Sequence, residues 1–132
     1  MDNHLGLAEV RRAHQKDKEM TEQEVATLVA QRREMRISGA GLETLRRALE
    51  GYLSLLGRPQ SLREEADLAL TYRLLVRIRQ RLASPRSEYR LGLSPEEAMT
   101  LAPVLLMLTS EQMGVYEQTV GSSVFMQLGI SN

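Results

Sequence analysis

The sequence has no lysine or arginine after Arg90, although the chain contains 17 cations. Against 13 acids, these cations give residues 1–90 a formal charge of +4, and the four later acids give residues 91–132 a charge of −4. Protein surfaces normally mix both signs, so a long cation-free segment with the uncharged run 98–108 at its centre is atypical of a free surface. We expect this segment to be covered, either by its own chain or by another molecule.

Cysteine is absent, which excludes a disulfide framework, a zinc-thiolate site and a cysteine nucleophile. The longest apolar run, 98–108, is well short of the roughly 20 residues that a membrane-spanning helix needs. The first 18 residues contain no apolar core of the kind that signal peptides carry. These absences predict a soluble, cytoplasmic protein.

Residue types and motifs that commonly form catalytic, metal or cofactor sites are scarce in this sequence. Tryptophan is absent, and one phenylalanine and four tyrosines do not form an interleaved aromatic set for stacking on bases. His4 and His14 lack the spacing that places two imidazoles on one helical face. Gly39 and Gly41 are predicted to form a turn, because the third glycine and the preceding strand of a dinucleotide-binding loop are missing. We therefore expect no enzyme activity, no catalytic residue, no bound metal and no cofactor.

Helical patterns account for the middle of the chain. Thr21 and Glu24 form a capping-box signature, which predicts a helix over 22–36. Two glycines at 39 and 41 break the pattern, and leucines at helical spacing predict a second helix over 42–56, ended by Gly57. A third helix is predicted over 62–83, and its wide apolar arc is typical of a central helix with more than one neighbour.

The last third is predicted to hold one further helix, over 95–120. Ser94, Pro95 and Glu97 form a helix-start signature. Pro103 removes a backbone donor inside this helix, so we expect a kink or a split near Ala102. Gly121 is predicted to end the helix and to leave an apolar tail.

The predicted fold class is all-α, because no strand-like alternation and no internal repeat is apparent. The expected architecture is a four- to five-helix bundle, orthogonal or up-down, with a kinked or split C-terminal helix. It comprises a polar N-terminal arm or loose helix (1–20), a helical bundle domain (21–120) and an apolar C-terminal tail (121–132).

The leading functional hypothesis is a non-enzymatic adaptor, assembly factor or structural subunit that binds protein through its C-terminal third. The partner is another protein or a second copy, with self-association favoured, and no membrane is expected. Four of the seven methionines lie in this segment, as in adaptable binding surfaces. The predicted interface residues are Met99, Leu101, Val104, Leu105, Met107, Leu108, Met113, Val115, Tyr116, Val124, Phe125, Met126, Leu128 and Ile130.

The alternative hypothesis is a nucleic-acid-binding subunit of a larger virion, packaging or RNA-guided complex. Three arginines of the third predicted helix recur at every fourth residue, and such a stripe can follow phosphates. Cations at the end of a helix also stabilise its dipole, which is the ordinary explanation for the same pattern. The candidate phosphate contacts are Arg73, Arg77, Arg81, Arg86 and Arg90.

Overall fold

A computed structural model describes residues 19–130 as five helices and two strands. The elements are α1 (Glu22–Ala30), β1 (Arg33–Ser38), α2 (Gly39–Leu55), α3 (Leu62–Leu82), β2 (Glu88–Leu93), α4 (Pro95–Leu108) and α5 (Val115–Leu128). The chain divides at Gln31 into two compact units, the first of which contains α1 and the second everything from Arg32 onward. No helix in the described part is long and apolar enough to cross a membrane.

Helix α1 is a short amphipathic helix. Its N-cap is Thr21, whose hydroxyl accepts a hydrogen bond from the Glu24 N–H at 3.1 Å. Val25, Leu28 and Val29 recur at helical spacing and are exposed, and no residue of this helix is buried. Because the predicted N-terminal arm comprises residues 1–20, all but its last two residues lie outside the described part.

The second unit contains a two-stranded antiparallel sheet that was not expected from the sequence. Arg33 pairs with Leu93 at one end and Ser38 with Glu88 at the other. The class is therefore helical with a small sheet, and the strict all-α prediction is wrong. Residues 33–36, which were predicted to continue the first helix, belong to β1 instead. Burial alternates along this strand, with Met35 in the core and its two neighbours exposed.

The core lies where the sheet meets two helical hairpins, α2 with α3 and α4 with α5. Leucines from α2, α3 and α4 fill its centre, together with inward-facing residues of both strands. Its largest fully buried side chains are Met35, Leu42, Leu45, Leu49, Leu74, Leu75, Ile78, Leu91, Leu93, Leu101, Leu105 and Leu128. Thr71 is the buried polar residue of the described chain, and its hydroxyl donates to the Asp67 carbonyl at 2.7 Å.

The C-terminal helix is split, but not at the predicted position. Helix α4 continues through Pro103 to Leu108, and the break comes afterwards, between Thr109 and Gly114. Helix α5 then runs past Gly121, so the predicted boundary of the apolar tail falls inside a helix. Gly121 is buried there, and Gly129 ends the helix in the left-handed conformation at φ 65°.

The second unit is built from two β-α-α halves. The halves are β1-α2-α3 and β2-α4-α5. Both strands carry the pattern Glu-x-Arg-(Ile/Leu), and the equivalent residues Arg36 and Arg90 lie directly opposite each other. The pairing around them is symmetric, since Met35 opposite Leu91 corresponds to Tyr89 opposite Ile37. The strands therefore pair about a local pseudo-twofold axis.

Candidate functional site: exposed apolar surfaces

Six of the predicted interface residues are buried in the core of their own chain. They are Leu101, Val104, Leu105, Leu108, Val124 and Leu128, each exposed by 2% or less. Helices α4 and α5 bury these side chains against each other, the sheet and α2. The folded chain therefore offers none of them to a partner, and the cation-free segment is covered in large part by intramolecular packing.

The other eight predicted interface residues stay wholly or partly accessible. Met107, Met113, Phe125 and Ile130 are half-buried. Met99, Val115, Tyr116 and Met126 are exposed, and Leu106, which was not predicted, is exposed as well. We call the exposed set, Met99, Leu106, Val115, Tyr116 and Met126, the cation-free face.

The cation-free face follows the outer sides of its two helices. On α5, Val115 and Met126 are more than four-fifths exposed and lie on one side of the helix with Thr119 and Ser122 between them. No charged side chain occurs after Glu117. Helix faces that are exposed in water normally carry charge, so this outer side differs from an ordinary solvated surface.

Two of the half-buried methionines line a small cavity of about 270 Å³ between α2 and the end of α4. Met107 and Met113 contribute to its apolar lining, and Arg47 and Glu117 line it as well. The methionine cluster expected from the sequence is therefore divided. Part of it fills a gap between helices, and Met99 and Met126 project outward.

A second apolar surface was missed by the sequence reasoning. An open groove of about 830 Å³ lies between the C-terminal part of α2 and the N-terminal half of α3, and we call it the α2–α3 groove. Its apolar lining includes Leu53, Leu68, Ala69 and Tyr72. The wide apolar arc of α3 was interpreted as the mark of a central helix, but its buried residues begin only at Thr71.

Three of the arginines proposed for phosphate binding have partners within the chain. Arg77 binds the Glu97 carboxylate and donates to the Gly92 carbonyl at 2.9 Å. Arg81 donates to the Arg90 carbonyl at 3.0 Å, and the Arg90 side chain lies 3.8 Å from Glu34.

The remaining two candidate arginines, Arg73 and Arg86, are exposed. Within the stripe on α3, Arg77 and Arg81 donate hydrogen bonds to carbonyls of β2. Arg73 makes no such bond among the described residues.

Both edges of the sheet are closed by side chains from the helices. Gln127 of α5 accepts a hydrogen bond from the Arg36 N–H at 2.7 Å and donates to the Arg36 carbonyl at 2.8 Å. On the other edge, Arg77 and Arg81 of α3 bind carbonyls of β2. Each half of the fold thus protects the strand of the other half, and these edge positions are not available for pairing with another strand.

Glu97 is the most heavily engaged carboxylate of the described chain. It completes the capping box of α4 by accepting from the Ser94 N–H at 2.9 Å, and it also binds Arg77 and Arg32. Burial alone would raise the pKa of Glu97, but the hydrogen bonds from Ser94 and Arg77 outweigh it and lower that pKa. A carboxylate held ionised in this way is a structural anchor and is poorly suited to proton transfer.

A second charge network joins α2 to α3. Arg46 binds both Glu43 and Glu50, and hydrogen bonds from Arg46 lower the pKa of each carboxyl. Arg79 of α3 donates two hydrogen bonds to the same Glu50 oxygen, from Nε and from Nη2. This network lies beside the α2–α3 groove, since Glu50 and Arg79 line it.

The polar side chains described above thus cap helices, form hydrogen bonds with the edges of the sheet or form ion pairs. No group of three potential metal ligands occurs among residues 19–130. The features that packing leaves unexplained are the cation-free face and the α2–α3 groove. No family model, curated protein or solved structure matches the chain.

Proposed function

We propose that this protein is a non-enzymatic assembly subunit that binds a second copy of itself through the cation-free face. The observation that carries the proposal is the exposure of Val115 (82%) and Met126 (84%) on an uncharged side of α5. An uncharged helix side with two almost fully exposed apolar side chains is a candidate for a protein–protein contact. Covering one such side chain completely contributes on the order of 1.5–3 kcal/mol.

Charge balance favours a second copy as the partner. Residues 91–132 carry −4 and residues 1–90 carry +4, so the C-terminal segment of one molecule complements the rest of another. Helix α3 presents the exposed cations Arg63 and Arg73 on its surface. Contacts between two different surfaces are heterologous, and they give closed rings or open chains depending on the rotation between copies.

Surface substitutions test this proposal better than truncation does. A chain ending at Val120 would lose Val124 and Leu128 from the core, so its behaviour would report on folding. The double variant Val115→Glu/Met126→Glu changes only exposed positions. We expect the wild type to show a concentration-dependent rise in mass in sedimentation equilibrium, and this variant to sediment as a monomer at the same concentrations.

A control with the same added charge is Gln80→Glu/Ser87→Glu, at two exposed positions outside α4 and α5. We expect this control to associate like the wild type. A wild type that stays monomeric at every concentration overturns the proposal, as does a control pair that dissociates as completely as the α5 variant.

A further inference from the structure

We infer that the outer face of the two-stranded sheet binds double-stranded DNA in its major groove. The inference does not depend on the cation-free face, because it concerns different residues on different elements. We call this surface the outer sheet face, and it consists of the outward-facing residues of β1 and β2, namely Glu34, Arg36, Ser38, Glu88, Arg90 and Gly92.

The sheet is covered by helices on one side only. The residues of the outer sheet face are exposed, apart from the partly buried Gly92. The residues of the opposite side are buried in the core, and they are Met35, Ile37, Tyr89, Leu91 and Leu93. The outer sheet face is therefore the side of the sheet that is open to a partner.

At the centre of the outer sheet face, Arg36 lies directly opposite Arg90. Like charges directly opposite each other destabilise a ladder, so folding gains nothing from this pair. Arg90 has the Glu34 carboxylate 3.8 Å away, but the Arg36 guanidinium forms neither a salt bridge nor a hydrogen bond among residues 19–130. Acceptors from another molecule would satisfy the N–H donors of both side chains and offset their repulsion.

The shape of this element restricts the kind of partner. A two-stranded ribbon fits the major groove of B-form DNA, which is about 12 Å wide. The major groove of an RNA duplex is too deep and narrow for side chains to read. Contacts with the base edges of a duplex need no stacking on aromatic rings, which are scarce in this chain. The shape therefore favours duplex DNA over RNA.

Both strands present the same donors and acceptors to such a groove. An arginine donates to N7 and O6 of guanine, and a glutamate accepts from the N4 amino group of cytosine. Glu34 and Arg36 on β1 correspond to Glu88 and Arg90 on β2 about the local pseudo-twofold axis. The two glutamates thus face base edges and contribute to base recognition. An inverted repeat in DNA has twofold symmetry as well, so this face fits a short inverted repeat that contains G·C pairs.

The charges around the ladder are positive on balance, and they supply the contacts with phosphates. Glu97 is bound by Arg32 and Arg77, which offset its charge. On the strands and directly beside them there are seven arginines against four glutamates, although the whole chain is neutral. They are Arg32, Arg33, Arg36, Arg77, Arg81, Arg86 and Arg90, with Glu34, Glu88, Glu96 and Glu97. Phosphate contacts provide affinity, while base contacts provide specificity.

The direct test is selection by the full-length protein from a pool of DNA duplexes with a randomised centre. We expect enrichment of an inverted repeat with guanines at symmetric positions. Fluorescence anisotropy with the enriched duplex should show binding that weakens steeply from about 50 to 200 mM salt, as phosphate contacts require. The absence of any enriched sequence overturns the inference, as does tighter binding to an RNA duplex of the same sequence.

Paired substitutions locate the binding surface. Arg36→Ala/Arg90→Ala removes both central guanidinium groups at exposed positions and should weaken binding to the enriched duplex at least about tenfold. The matched control is Arg58→Ala/Arg63→Ala, which removes the same charge from exposed positions. Arg63 precedes Arg77 by about 21 Å along α3, so we expect the control to bind like the wild type. Equal losses in the two variants overturn the inference.

Two further variants separate this inference from effects on folding and from the proposed function. Arg36→Ala alone removes a side chain with no bond inside the described chain, so it should unfold in urea like the wild type and still weaken DNA binding. Val115→Glu/Met126→Glu should bind the enriched duplex, because these positions lie on α5. A loss of DNA binding in the α5 variant as large as in Arg36→Ala overturns the assignment to the outer sheet face.

Discussion

Two helical glycines provide a sharp test of the packing between α4 and α5, because the same substitution should act with opposite sign at each. Gly121 is buried in α5, and a Cβ added there would lie 2.8 Å from the Thr109 side chain and 2.9 Å from Leu108 Cβ. Gly51 lies in α2 and has nothing within 4 Å of the same added atom. Replacing either by alanine brings the same gain in helix propensity, so the difference between the two variants isolates the steric effect.

The magnitudes follow from these contacts. Gly51→Ala should stabilise the protein by about 0.5–1 kcal/mol, since alanine restricts the unfolded chain and favours the helix. Gly121→Ala receives a similar gain but overpacks the α4–α5 contact, which typically costs about 1–3 kcal/mol. We therefore expect Gly121→Ala to be less stable than Gly51→Ala by about 1–3 kcal/mol.

Urea unfolding followed by circular dichroism measures this difference through the transition midpoints, provided that the slopes agree between variants. In thermal unfolding, a 1 kcal/mol difference corresponds to about 4 °C in Tm for a chain of 132 residues. Two variants of equal stability would refute the close approach of α5 to α4 at Gly121.

Two further predictions concern the sheet edge and the capping carboxylate. Gln127→Ala removes both hydrogen bonds to the Arg36 backbone and should destabilise the fold by about 1–3 kcal/mol, whereas Ser123→Ala, one helical turn away, should have a much smaller effect in the same urea assay. Glu97 has a lowered pKa in the folded state, so its stabilising contribution is present above the unfolded value of 4.5 and is lost as pH falls below it. We expect the wild type to lose more stability between neutral and acid pH than Glu97→Gln does, and equal slopes of unfolding free energy against pH would contradict the Arg77–Glu97 geometry.

Local signals in the sequence predicted much of the helical part. Ser61 and Ser94 each cap a helix in the structure as their motifs indicated. The leucine spacing after Gly41 predicts α2, but the helix begins three residues earlier, at Gly39, so the turn expected at the two glycines is wrong. These signals succeed because a cap and a helical stripe depend on residues within one or two turns.

The strands were missed because their signal depends on distant partners. Met35 continues the three-and-four spacing of the preceding helix, so it fitted a helical pattern although it belongs to β1. In β2, Tyr89, Leu91 and Leu93 alternate with exposed or half-buried residues, but six residues that include Arg90 and Gly92 give only a weak alternation signal. Only pairing between residues 50 or more positions apart makes these segments strands.

The candidate sites were predicted only in part, again because local sequence does not show contacts between distant residues. Composition shows that apolar side chains such as Leu105 and Met126 must be covered or must serve as contacts, but it does not show which molecule covers them. The fold assigns Leu105 to the core and leaves Met126 outside. The α2–α3 groove could not be predicted from the sequence. It depends on how much of α3 extends beyond the part of the helix that packs on α2.

The pairing of β1 with β2 has a consequence for the order in which the chain folds. The nearest partners, Ser38 and Glu88, are 50 positions apart, whereas each helical hairpin is joined by a short turn. Closing a long loop before any contact forms is entropically unfavourable, so the hairpins should form first and the ladder between the strands last. Substitutions at the strand pair should then accelerate unfolding while leaving the refolding rate almost unchanged.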